Sequence, residues 1–207
     1  MLMQGYPGPA GSGTLAANTL TALRQDQQGG GLMVSQLHGK DYEHAYRKML
    51  FTAANQTAQA VTVQYSTAYT GLCLSNPIGS TVNLVVQKVG IALSTGPAAV
   101  DPIGIMAGYN SSTAVVHSTT LTTRSMFWNM ATNPSVGNVD STCTLPTAPV
   151  LVTPLISGFT ATALFGMGPL LFDFEGALIL PPGGYAAIFG FGAFSGFFSI
   201  FWEETPQ

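Results

Sequence analysis

Charge is what this chain has least of. Lys and Arg number six and Asp and Glu nine, together 7% of 207 residues, where a soluble domain ordinarily carries about 25%. Between Lys48 and Asp173 only Lys88, Asp101, Arg124 and Asp140 are charged, and nothing between Glu175 and Glu203 is. Six scattered bases under a net charge of −3 cannot neutralise a phosphate backbone, so nucleic acid is excluded as a partner. Cysteine is scarce too. Cys73 and Cys143 are too few for a disulfide framework and lack metal-ligand spacing. One bridge between them can form, but two reduced, buried thiols are the simpler reading. Residues 1–30 hold no charge before Arg24 and no continuous apolar core, so they do not read as a secretory signal.

Catalytic motifs are missing as well. No Walker loop occurs, and no Gly-x-Gly-x-x-Gly follows a strand. Gly11-Ser12-Gly13 and Phe194-Ser195-Gly196 do not match the Gly-x-Ser-x-Gly of a hydrolase elbow. His38, Asp41, Glu43 and His44 are metal-ligating types in one short stretch, but on a helix Glu43 leaves the face that Asp41 and His44 share. A solvated helix face is the better account. His117, Asp140 and Ser157 stand in the order of one protease triad, without a surrounding motif. Asp173 and Glu175 alternate with Phe172 and Phe174, which puts both acids on one strand face. Paired carboxylates can serve a glycosidase; a polar strand edge, or acids meeting a neighbour's base, explains them better. We therefore expect no enzyme, no metal and no cofactor.

What is present is β chemistry. Twenty-four Gly and 13 Pro punctuate the chain, which favours many short elements joined by turns. The strongest signal is the stretch after residue 176. Pro181-Pro182-Gly183-Gly184 is a turn, since Pro fixes φ and Gly admits positive φ. Tyr185, Ala187, Phe189 and Phe191 then share one parity, with Ala186, Gly190 and Gly192 opposite. Ser195-Gly196 is expected to turn the chain. Phe198, Ile200 and Trp202 share a parity with Phe197, Ser199 and Phe201 opposite, so this strand is apolar on both faces, as if covered on both sides. Residues 185–202 are also long enough for a membrane helix. No Lys or Arg follows Arg124 to flank them, however, and their glycines disfavour a helix, so no membrane partner is expected. Upstream, strands are expected over residues 61–65, 71–74, 82–93, 113–117, 150–155, 161–165 and 170–174. Turns are expected at 76–80, 96–102 and 133–138. Tyr42, Ala45 or Tyr46, and Met49 give one short helix. Regular short strands without helix–strand alternation argue for an all-β sandwich or barrel.

Residues 1–37 read as an N-terminal arm, flexible or shortly helical. Residues 1–13 are rich in Gly and Pro; over 14–28, Thr14 can cap a helix with Leu15, Leu20 and Leu23 on one face, which Gly29-Gly30-Gly31 stops. The arm buries little alone. It is either a disordered tail or a segment that docks on a neighbour. Residues 38–207 form the sandwich domain.

Two stretches carry a resemblance. Thr70-Gly71-Leu72-Cys73-Leu74-Ser75-Asn76-Pro77-Ile78-Gly79-Ser80, followed by Asn83-Leu84-Val85-Val86, resembles a segment of tailed-bacteriophage virion proteins. So does the ending, with Pro181-Pro182-Gly183-Gly184-Tyr185 and Trp202-Glu203-Glu204, and His38-Gly39-Lys40 before Tyr42 fits the upstream part. The resemblance covers residues 35–205. It departs at Cys73, where an aliphatic residue is usual, and at Thr81-Val82, where Gly-Lys is common; the lost base puts a charge-mediated contact in doubt. It implies a jelly-roll-like antiparallel β-sandwich that decorates and cements the phage head. Such a protein works by contact on the outer capsid surface, and in the host cytoplasm during assembly. Its expected partners are itself, as a homotrimer, and the major capsid protein. Phe189, Phe191, Phe194, Phe197, Phe198 and Phe201 are the candidates for the subunit interface, and Leu15, Leu20 and Leu23 for a capsid-docking arm. The alternative is a receptor-binding or tail-fibre module, with Tyr109-Asn110 and Trp128-Asn129 as candidate contact loops.

Overall fold

Strands form nearly everywhere that alternation and turn residues coincide. In the computed structural model, which describes residues 41–128, 135–157 and 169–207 apart from the Glu43 side chain, a five-residue helix α1 (Tyr42–Tyr46) precedes twelve strands. These are β1 (Leu50–Ala54), β2 (Gln59–Val61), β3 (Ala68–Ser75), β4 (Val82–Thr95), β5 (Ile103–Tyr109) and β6 (Val116–Thr120). They continue with β7 (Arg124–Ser125), β8 (Asn138–Thr144), β9 (Val150–Ile156), β10 (Leu170–Leu180), β11 (Gly184–Gly190) and β12 (Phe194–Pro206). Leu15, Leu20, Leu23 and the strand expected over 161–165 lie outside the described residues.

Two antiparallel sheets result. One runs β10-β4-β12-β1-β7, with β2 added on β12; the other runs β6-β8-β3-β11-β5-β9. Setting aside β2, β6, β7 and β8 leaves eight strands. In chain order they fill one sheet as first, eighth, third, sixth and the other as second, seventh, fourth, fifth. That is the jelly-roll arrangement, two sheets wound by one folded-over hairpin. The segment β6–β8 is an insertion between the fourth and fifth of these strands, and it widens both sheets beyond β1 and β3.

The core lies between the sheets. A Cβ at Gly190 of β11 would sit 2.1 Å from the Phe194 ring, and one at Gly137 would meet Leu84, Leu74 and Trp202. Gly190 therefore faces inward, and Tyr185 and Phe189, on the other parity, face away from the opposing sheet. They are buried all the same. Tyr65 stacks on Phe189 at 5.0 Å, Tyr185 donates its hydroxyl to Thr147 O at 2.6 Å, and Leu145 N bonds Thr67 O between the two covering segments. The bare face of β11 thus receives the large residues of β12, while its large face is roofed by loops.

The two stretches that carry the phage resemblance interlock. Asn76 N bonds Gly184 O, Gly183 N bonds Asn76 O, and Asn76 Nδ2 reaches Leu180 O and Val82 O. Gly183 has φ 85°, and any Cβ there would lie 2.2 Å from Asn110 O, so the turn requires glycine.

Several expectations need correction. The helix ends at Tyr46, so Met49 does not extend it, and residues 50 and 51 open β1. Ser195-Gly196 does not turn the chain; residues 191–193 do, and Gly196 sits where the register with β4 shifts past the extra residue Ser94. The strand expected over 113–117 runs three residues later, as β6. Strands β5 and β8 were not anticipated. β5 alternates with glycines that admit its neighbours: a Cβ at Gly104 would strike Thr153 O and one at Gly108 the Tyr185 ring. β8 is polar in sequence, yet pairing with β3 and β6 on both sides buries Asp140 and Ser141.

Cys73 and Cys143 are free and buried. A hydrogen bond with Cys143, then burial, holds the Cys73 thiol well above its ordinary value. Burial, then the nearby Cys73, does the same for the Tyr69 phenol, which bonds Ile188 O at 2.8 Å. Both groups stay protonated when folded at a pH where the unfolded chain has lost the proton. Stability is therefore fully present below the ordinary values and falls as pH rises past them. Thermal melts should be flat to about pH 9 and then lose about 1.4 kcal/mol per pH unit for each such group. Tyr69→Phe should flatten the fall above pH 10. Equal slopes in the two proteins would contradict the assignment.

Candidate interaction surface

The structure divides the six phenylalanine candidates. Phe189, Phe194 and Phe198 are core residues, with Phe194 and Phe198 meeting edge to face at 5.9 Å, so they are corrected out of any interface. Phe191 and Phe197 are 50% and 46% exposed, and Phe201 is half-buried. The split follows strand parity. Phe198, Ile200 and Trp202 point into the sandwich, while Phe197 and Phe201 point out of it. Among the described residues the outer face of β12 is covered only in part: Phe197 is exposed, Ser199 and Phe201 are half-buried, and Glu203 is buried beside His44.

Neighbouring strands extend that face. Phe197 stands opposite Ala92, and Phe201 opposite Lys88, on β4. Ser199, Gly90 and Leu171 form one row across β12, β4 and β10, and Val85 with Ile179 forms another. A Cβ on Gly90 would meet Ser199 Oγ and then Leu171, which puts these three on one side. Leu171 is 62% exposed and Ile179 54%. The outer face of this sheet thus carries bulky apolar groups at its margins, with Ser199, Gly90 and the charged Lys88 between them. An antiparallel sheet facing water normally alternates apolar inside with polar outside, so this face is out of keeping with solvent. Leu171 and Ile179 were not among the sequence candidates; their alternation with Phe172 and Leu178, which pack on the core, was the available signal.

Charge crosses the middle of the face and is paired: Asp173, Lys88 and Phe201 form the row between those of Leu171 and Ile179, and Glu203 stands opposite Val85. Lys88 Nζ lies 2.6 Å from Asp41 Oδ2, and this hydrogen bond holds the lysine above its ordinary value. His44 Nδ1 lies 2.7 Å from Glu203 Oε2, which also accepts from Gln87 Nε2 at 3.3 Å. Covering this face would desolvate charges that are already paired within the chain.

The other candidate constellations do not assemble into chemistry. His117 and Asp140 do come together, Nδ1 to Oδ2 at 2.7 Å. Ser157 follows β9 at the far edge of the same sheet, about 19 Å away at four strand spacings. Asp173 Oδ1 accepts the Glu175 N–H in a bulge where Glu175 and Gly176 both take positive φ, so the two acids close a local turn. Among the described residues no group of three or more His, Cys, Asp and Glu could hold a metal ion, and no helix is long and apolar enough to cross a membrane. Compared with protein-family models, curated proteins and solved structures, the chain has no match.

Proposed function

We propose that this chain is a contact protein of a tailed-phage head, a decoration or cement subunit. It associates with copies of itself as a homotrimer and with the major capsid protein. The observation that carries the reading is the apolar outer face built from Phe197, Phe201, Leu171 and Ile179 on a chain with 7% charge. The resemblance of its two interlocking stretches to phage virion proteins supports the particle to which it belongs. Burying one such side chain contributes about 1.5–3 kcal/mol, so a few per subunit suffice for tight association. The jelly roll alone does not choose among functions, because the architecture serves many.

The wild-type chain at micromolar concentration should have the mass of a trimer in solution and should bind heads that lack it. Phe197→Lys combined with Leu171→Lys should keep the melting temperature, since both side chains already face solvent, and should weaken association by about a hundredfold or more. A monomeric wild type sinks the trimer, and heads equally stable with and without the chain sink the cement role. The rival reading, a receptor-binding or tail-fibre module, draws on the exposed Tyr109 and Trp128. Imaging of particles separates them, because decoration lies on the head and adhesins on the tail.

A further inference from the structure

The insertion β6–β8 creates a second feature, beside the apolar face: its lining residue Thr52 stands opposite Phe201. Its link from β6 to β7, residues 121–123, crosses from one sheet to the other, where Arg124 pairs with Thr52 of β1. The crossing leaves a cleft of about 560 Å³, within the roughly 300–1,000 Å³ of small-ligand sites. Ala53, Ala54 and Leu121 contribute its apolar lining. Its polar lining comes from Thr52, Gln56, Thr120 and Thr122, and Arg124 and Trp128 complete it. Trp128 is 66% exposed, and the Arg124 guanidinium stands 5.9 Å from its ring centre.

We propose that this cleft binds an acidic saccharide. Each part of a sugar acid has a counterpart here. Threonine hydroxyls both donate and accept, as sugar hydroxyls do, and those of Thr52, Thr120 and Thr122 make no side-chain hydrogen bond among the described residues. The indole of Trp128 offers an apolar plane for the C–H face of a pyranose ring while the rest of the molecule stays wet. Among the described residues Arg124 is the one charged group lining the cleft, and a guanidinium takes a carboxylate through paired N–H donors. A neutral apolar ligand would leave the hydroxyls unmatched. A nucleic-acid strand would need a row of cations where there is one.

The inference does not depend on the phage reading, and its test is separate. The full chain is titrated with oligosaccharides bearing glucuronate, galacturonate or sialate, with neutral maltotriose and cellotriose, and with oligo-dT. Calorimetry reads the affinity and tryptophan fluorescence the location. Trp202 is fully buried, so a ligand-induced change in quencher access reports Trp128. At least one acidic oligosaccharide should bind and shield Trp128. Arg124→Gln should lower its affinity about tenfold and erase the preference over neutral sugars, the effect of losing one charge-assisted contact. Trp128→Ala should abolish binding at an unchanged melting temperature, and Thr122→Val should weaken it several-fold. Failure of every acidic probe, equal binding of neutral sugars, binding unchanged in Trp128→Ala, or tighter binding of oligo-dT would each overturn the proposal.

Discussion

Replacing His117 with alanine will lower the unfolding free energy by about 3 kcal/mol, a large share of a marginal total. Asp140 is 0% exposed, on a strand paired on both sides, opposite Cys73 and Thr120. Its Oδ2 meets His117 Nδ1 at 2.7 Å, and its Oδ1 has no hydrogen-bond partner among the described residues. Without the imidazole, a buried carboxylate would stand with neither oxygen satisfied, which costs far more than the pair itself contributes. The figure is at the lower end for such a loss because His117 is itself partly exposed. Asp140→Asn supplies the control. An amide is cheaper to bury than a charge, so His117→Ala with Asp140→Asn should be more stable than His117→Ala alone. Urea melts of the four proteins give the coupling directly. A single mutant within 0.5 kcal/mol of the parent would show that the carboxylate finds another partner.

That pair also marks what sequence reasoning reached and what it did not. His117 and Asp140 were noted in the sequence only as members of a triad order with Ser157, and neither their pairing nor their placement on β6 and β8 was legible. β8 carries Asn, Asp, Ser and Thr, and hydropathy reads such a run as loop. Only its position between two other strands buries it, and that is a property of topology. The sandwich, the strand over 82–93, and the two carboxyl-terminal strands were legible, because Pro and Gly punctuate runs of period two. The exposed apolar face was half legible. Parity separated Phe197 and Phe201 from Phe198, but both sides were apolar, and nothing local said which side met the other sheet. Phe189 shows the limit most clearly. It lies outward on β11 and is still buried, because residues distant in sequence, Tyr65 among them, cover it. The cleft beside Trp128 needed three separate segments brought together, and no spacing in one of them announces it.

Glu204→Ala is expected to destabilise the chain by about 4 kcal/mol, the largest single effect predicted here. Glu204 is buried near the end of β12, and its Oε1 collects donors from four places. Ser135 Oγ donates to it, as do Val136 N at 2.8 Å, Gly137 N at 3.1 Å and, more distantly, Trp202 Nε1 at 3.5 Å. Hydrogen bonds to an ionised acceptor contribute about 1.5–3 kcal/mol each, and stranded backbone donors add a desolvation cost. Glu204→Gln keeps an acceptor oxygen without the charge and should lose about half as much. At 2–4 °C per kcal/mol for a chain of this length, the alanine variant should melt roughly 10 °C lower. The consequence reaches the outer face. Strand period is two, so a slip of β12 by one residue would turn Phe197 and Phe201 inward and expose Phe198 and Ile200. Glu204 opposes such a slip by tying β12 to residues 135–137, beyond the β4 bulge at Gln87 where the pairing of β12 with β4 shifts by one. An alanine variant that melts within two degrees of the parent would mean that the pairing with β1 and β4 alone sets the register.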